Sequence, residues 1–289
     1  MAVDVGSLPC PWVLRVGRPD EYATFAHLFT ELGLEEPPPP ESMWVEDMAS
    51  RTFFAEGPEG VVAGYSTTDV LGAWGYVGQL VVAPFARRQG LGRWLMRHAA
   101  QRFRAQGCQS WALNVKRDNV AALGLYTAMG MRRERWGTNL KVTRALLAQL
   151  PPVPAGLVVV PLAPSHCEPL TEMWRMLPGK LARFGTQMGH RLLRLAPEHG
   201  GESTSPLGLM DFRAGSRLLF PFFAASLGHA RALMEAAFSL LGEAHPVLNV
   251  VVTDDTPLEQ RLRELGAEVS LETYELRGTL PDLASARAP

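Results

Sequence analysis

Residues 150–156 read Leu-Pro-Pro-Val-Pro-Ala-Gly, and no regular element can run through them. Three prolines remove backbone donors and fix φ, and the glycine favours a turn, so the stretch is a linker. It cuts a chain of 289 residues near its middle and leaves two pieces of ordinary domain size. The pieces follow one plan. Residues 113–130 (LNVKRDN…MG) parallel residues 250–266 (VVVTDDT…LG), each reading as a strand, a helix and a closing glycine. Two copies of one α/β unit, 1–150 and 151–289, is the economical account, and two unrelated domains are the alternative.

Periodicity fills in the plan. In the first half, 12–16 reads as a strand and 18–32 as a helix, with Tyr22, Phe25, Leu28, Phe29 and Leu32 at helical spacing. Prolines 37–40 form a stiff loop before a short helix at 42–50. Strands are expected at 52–55, 60–67 and 75–82. Helix 91–106 sets Leu91, Leu95, Ala99 and Phe103 on one face and Arg93, Arg97, Gln101 and Arg104 on the other, and Gly107 ends it. A strand at 111–115, a helix at 119–129 closed by Gly130 and one long strand or a strand pair at 132–142 complete the half. The second half reads as strand 158–162, helix 166–176, strand 217–222, helix 229–241, strand 246–252, helix 257–265 and strand 269–277. Residues 198–205 form a flexible loop.

Composition bounds the class. Apolar residues make up 47% and charged residues 20%, which excludes disordered and collagen-like chains. No apolar run approaches the ~18–20 residues that cross a bilayer, and Met1 to Cys10 lacks a secretion signal. Cys10, Cys108 and Cys167 are too far apart for a metal site or a disulfide framework, and the histidines show no metal-like cluster. A reducing cytoplasm is the expected compartment. The net charge of −1 hides a segregation: residues 1–83 carry 12 acids and 3 bases, whereas 84–144 carry 13 bases and 2 acids. That basic block suggests a surface that meets an anion, a solvated basic face being the alternative. Few aromatics interleave it, so nucleic acid is the weaker reading.

The chemistry concentrates in residues 79–93, QLVVAPFARRQGLGR. A buried-type strand runs into a loop bearing Arg87, Arg88, Gly90 and Gly92, and a helix follows directly. Glycines let a backbone approach a bulky anion, and the free N–H groups of the helix's first turn point at it. Phosphate or pyrophosphate is the natural ligand. The spacing is neither that of a Walker A loop nor G-x-G-x-x-G. After the next strand comes N-V-K-R-D-N-V-A-A-L-G-L-Y-T-A-M-G-M. These two segments, in this order, resemble the GNAT superfamily of N-acetyltransferases.

The resemblance implies an α/β fold of two tandem GNAT-like domains, each a mixed, mostly antiparallel twisted sheet with flanking helices. It implies acetyl-CoA as co-substrate, no metal, and direct acetyl transfer to a primary amine. Leu80, Val81 and Val82 would hold the pantetheine arm by their main chain. Arg88, Gln89, Gly90, Leu91, Gly92 and Arg93 would cradle the pyrophosphate, with Arg87 at the entrance. Asn119 would contact the cofactor arm, and Tyr126 would protonate the departing thiolate. One departure matters. The positions where many relatives carry a glutamate base hold Gln79 and Asn114 here, and neither accepts a proton at neutral pH. Asn114 holding a relay water, a carboxylate from elsewhere such as Asp69, and an amine that arrives partly neutral are the options. A non-catalytic acyl-CoA-binding or regulatory protein is the alternative function.

The second half lacks the machinery, because residues 223–228 (FAASLG) stand opposite Arg87 to Gly92 and Leu262 or Arg263 stands at the tyrosine position. It is read as a degenerate copy that completes the fold, covers the acceptor cleft or makes a homodimer interface. The acceptor, a small molecule or a peptide amine, would enter past Glu31, Glu35, Glu36, Glu41, Trp44, Glu46 and Asp47. An acidic rim of that kind favours a cation, a solvated loop being the alternative.

Overall fold

The computed structural model describes residues 12–199 and 206–281; Cys10 and residues 200–205 lie outside that set. The chain folds as two compact units. The first comprises residues 1–113, 121–132 and 277–289, and the second 114–120 and 133–276. Each unit therefore takes in chain from the other half of the sequence.

In the first unit β1 (Val13–Val16), β2 (Thr52–Glu56), β3 (Val62–Leu71) and β4 (Trp74–Val82) pair antiparallel in that order. The start of β5 (Ser110–Lys116) pairs parallel with β4, over Trp74–Val77 against Ser110–Leu113. Beyond Val77, β4 runs on to Val82 beside β3, and the register slips between Thr67 and Thr68, opposite Gln79 and Val77. Helix α1 (Tyr22–Phe29) and the short turn α2 (Glu41–Met43) precede β2. Phe25 of α1 stacks on Trp44 with ring centroids 4.7 Å apart, and Phe54 and Tyr65 close the same cluster. Trp44, placed at the acceptor rim from the sequence, is a fully buried core residue. Its indole N–H donates to the Arg18 carbonyl at 3.0 Å.

Helix α3 (Leu91–Ala105) buries Leu91, Leu95, Ala99 and Phe103, the face expected of its apolar stripe. Phe103 lies against Gly75 of β4, where an added Cβ would come within 2.2 Å of the ring. That glycine lets helix and strand approach closely. Helix α4 (Val120–Ala128) follows β5.

The second unit contains β6 (Arg132–Thr143), which leads into α5 (Arg144–Leu147), then β7 (Leu157–Pro161), α6 (Pro164–Met173), α7 (Lys180–Gly185), β8 (His190–Pro197), β9 (Gly208–Arg213), β10 (Leu218–Ala224), α8 (Leu227–Leu241), β11 (Val247–Thr253), α9 (Thr256–Glu264) and β12 (Glu268–Thr279). Its strand order is β12-β6-β11-β10-β9-β8-β7. Again one pair, β10 with β11, is parallel, and β7, β8, β9 and β10 are antiparallel neighbours. Residues 132–142 form one long strand rather than a pair, and β6 lies antiparallel to β11, Thr143 facing Val247. Strands β8 and β9 and helix α7 are absent from the sequence reading. They carry buried charge where a strand pattern calls for apolar alternation: Asp211 of β9 is fully buried, with the His190 ring 2.7 Å away and Arg213 3.0 Å away.

Candidate active site

The segment expected to bind an anion is open and pre-shaped. Arg88 and Gly90 both adopt positive φ, +64° and +83°, which turns successive backbone N–H groups toward one side. Gly90 then opens α3, and no side chain caps the helix. The first intrahelical bond runs from Trp94 N to the Gly90 carbonyl at 3.0 Å, so the N–H groups of Leu91, Gly92 and Arg93 are left for an outside partner. A Cβ built on Gly90 meets nothing within 4 Å. Arg88, Gln89, Gly90 and Arg93 are exposed. The Gln89 side chain folds back onto the Phe85 carbonyl at 2.8 Å. Arg88 and Arg93 make no ion pair among the described residues.

Arg87 behaves differently. Its guanidinium donates to the Val82 carbonyl at 3.0 Å and to Glu31 at 2.6 Å. It is therefore a clamp that ties the loop to the end of β4 and to the segment after α1. The same contact neutralises one acid of the expected acceptor rim, and Arg51 takes Asp47 at 2.8 Å. Glu35, Glu41 and Glu46 remain exposed.

Gly92 brings the two motifs together. A Cβ on it would sit 3.4 Å from Leu125 of α4 and 3.8 Å from Val82 of β4, which places the helix start beside both β4 and α4. Tyr126, the next residue on α4, is 6% exposed. Burial pushes its phenol well above the ordinary value near 10. Its hydroxyl has no hydrogen-bond partner among the described residues, yet it is not among the polar atoms sealed from solvent. The ring is thus held by packing while the acidic O–H stays protonated and reachable.

Of the base candidates, Gln79 accepts a hydrogen bond from the hydroxyl of Tyr65 at 3.0 Å. Tyr65 is fully buried on β3, and nothing in its surrounding sequence singles it out. Asp69 is paired with Arg51 at 2.7 Å, which leaves it poorly placed as a free base. Asn114 is half-buried on β5, and Asn119 stands immediately before α4, its N–H donating to the Lys116 carbonyl at 3.2 Å.

Residues 20–131 match the acetyltransferase (GNAT) family. This part of the chain is a GNAT domain. Streptothricin acetyltransferase of Streptomyces lavendulae is 40% identical over 88 residues, which cover 29% of this chain and 46% of that protein. The match therefore spans about half the length of that relative. A GCN5-related N-acetyltransferase from Sphaerobacter thermophilus superposes with a TM-score of 0.65 at 17% identity, covering 96% of this chain and 98% of that one. A tandem GNAT protein from the clavulanic acid biosynthesis pathway gives 0.62 at 18% identity, over 93% and 99% of the two chains. Both likenesses run through the two halves, and the GNAT fold extends to the second.

The second unit differs at the corresponding positions. Helix α8 has the same length as α3, 15 residues, but Ser226 caps it, accepting from His229 N at 3.3 Å and bonding the His229 ring at 2.7 Å. Gly228, opposite Gly92, packs on the linker: a Cβ there would lie 2.7 Å from the Pro152 carbonyl oxygen and 3.1 Å from Pro154. The helix ends settle the tyrosine's counterpart. Met131 N bonds the Tyr126 carbonyl at 3.1 Å, and Ala267 N bonds the Leu262 carbonyl at 2.9 Å. Leu262, fully buried and without a proton to give, stands for Tyr126. Among the described residues no group of three or more His, Cys, Asp or Glu is arranged to hold a metal, and no helix is long and apolar enough to cross a membrane.

Proposed function

We propose that the chain transfers the acetyl group of acetyl-CoA to a primary amine, with the first GNAT domain as its one catalytic site. The uncapped, outward-facing amides at the start of α3, directly beside the helix that carries Tyr126, are the observation that carries this reading. Arg88 to Arg93 take the pyrophosphate, their N–H groups and the helix dipole meeting its charge, and the free guanidinium groups of Arg88 and Arg93 add to it. The main chain of Leu80, Val81 and Val82 aligns the pantetheine arm and the thioester carbonyl. Asn119 is assigned to the cofactor arm and Asn114 to an ordered water, on the family pattern alone.

The reaction then needs one attack and one proton. The amine nitrogen adds to the thioester carbon, backbone N–H groups on β4 stabilise the oxyanion, and the C–S bond breaks as the intermediate collapses. The Tyr126 phenol protonates the leaving thiolate, and the surplus proton on nitrogen passes through water and restores the tyrosine's own proton. No carboxylate base is needed if the amine arrives partly neutral, which fits a site where Gln79 is held by Tyr65 and Asp69 by Arg51. The exposed acids Glu35, Glu41 and Glu46 support a cationic acceptor, and the similarity to streptothricin acetyltransferase supports acetyl transfer in general. A turnover assay with acetyl-CoA and a panel of amines tests the proposal. Release of free thiol that depends on the amine is expected. Tight binding of acetyl-CoA with no thiol release under any amine would favour a non-catalytic acyl-CoA-binding protein instead.

A further inference from the structure

A cavity of about 520 Å³ lies within the second unit, where the ends of β10 and β11 meet the starts of α8 and α9. It is in the size range of small-molecule sites. Its walls are apolar, with Phe222, Leu227, Val252 and Leu258 beside the stacked pair Trp174 and Phe223, whose ring centroids are 5.1 Å apart. Its rim is braced. Arg135 donates to Asp254 at 2.5 Å and to the Trp174 carbonyl at 3.0 Å, and the other Asp254 oxygen accepts from Trp136 N at 2.9 Å. Arg135 and Asp254 thereby cancel each other's charge. That network holds Asp254 in a left-handed conformation, with φ +49°.

One lining charge is left over. Asp255 caps α9 through Oδ1, which accepts from Leu258 N at 3.0 Å, while Oδ2 has no partner among the described residues. Burial in these apolar surroundings pushes the carboxyl above its ordinary range, so an opposite charge brought alongside it would be favoured. The comparison between the units has the same sign. Asp255 occupies the place of Asn119, and Phe223 and Ala224 occupy the places of Arg87 and Arg88. A loop rich in cations has become apolar, and a neutral amide has become an acid. The position that meets an anionic cofactor in the first unit has been remade for the opposite charge.

We propose that this cavity binds a small organic ammonium ion with an apolar or aromatic body, its nitrogen on Asp255 and its body against Phe222, Trp174 and Leu258. The test uses the full chain and phenethylammonium as the probe, with 2-phenylethanol as its neutral counterpart. Calorimetry should show the ammonium bound at least about tenfold more tightly than the alcohol, and Asp255→Asn should erase that difference. Asparagine still caps a helix, so the variant keeps its fold. Hydrogen exchange on the unaltered protein gives an independent readout: the probe should protect amides at 222–227 and 252–258, and saturating acetyl-CoA should leave that protection in place. Equal affinity for ammonium and alcohol, unchanged preference in Asp255→Asn, protection confined to residues 80–93, or displacement by acetyl-CoA would each overturn the proposal.

Discussion

In the proposed mechanism, Tyr126 is the residue on which the chemistry turns. Its packing fixes the ring, and burial keeps the phenol protonated across the range in which an enzyme works. Tyr126→Phe removes the proton and little volume, so acetyl-CoA affinity should hardly change while turnover falls by roughly 10²–10³. Unchanged turnover by steady-state kinetics would remove the tyrosine from the mechanism. The pH profile carries the second residue-scale prediction. The Tyr126 phenol sits above its ordinary value, so it stays in its proton-donating form and imposes no fall in rate on the alkaline side below about pH 10. With Gln79 and Asn114 unable to accept a proton, the rate should climb toward the acceptor amine's own pKa. A plateau below about pH 7 would reveal a carboxylate or histidine base. The place of Tyr126 on a helix was legible from the sequence because N-x-x-A-x-x-x-Y fixes a position along one helix. The partners of Gln79 and Asp69 were not legible. Tyr65 and Arg51 reach them across the sheet, and strand register is set by long-range pairing.

At the scale of elements, the two strand-to-helix turns use their glycines for opposite reasons. The protein's own packing does not require Gly92, since a Cβ there makes only ordinary contacts at 3.4 Å and beyond, and in the proposal it leaves room for the cofactor. Gly228 leaves room for the chain's own linker, since a Cβ there meets the Pro152 carbonyl oxygen at 2.7 Å. Gly92→Ala should therefore leave denaturant stability nearly unchanged and weaken acetyl-CoA binding. Gly228→Ala should lower stability by about 1–3 kcal/mol, as overpacking does, and leave cofactor binding intact. The reverse pattern in urea unfolding and calorimetry would show that the two turns have been misassigned. Helix α3 was legible because its apolar stripe and closing glycine are both local. The run 42–50 was expected to be a short helix at an acidic rim, but Trp44 within it is buried against Phe25. An isolated tryptophan in a charged loop gives no local sign of the core it joins. Strands β8 and β9 escaped notice for the matching reason, because buried Asp211 and Arg194 break the alternation that marks a strand.

At the scale of the whole molecule, the two units differ at the positions on which the proposed chemistry depends. Where the first keeps open amides, free arginines and a tyrosine, the second has a serine cap, a proline linker and a leucine. The break at 150–156 and the paired motifs raise the expectation of two like units. What they did not show is that the compact units trade chain, β6 pairing with β11 in the second and residues 277–281 belonging to the first. Such pairing leaves no trace in local composition, because either partner satisfies the same backbone hydrogen bonds. The central claim is that this molecule has one cofactor site, built on the loop and helix from Arg88 to Arg93. Calorimetric titration of the full chain with acetyl-CoA, alongside a folded Gly92→Glu variant, tests it directly. The account predicts one acetyl-CoA per chain and no binding in the variant; two sites per chain, or micromolar affinity surviving in Gly92→Glu, would contradict it.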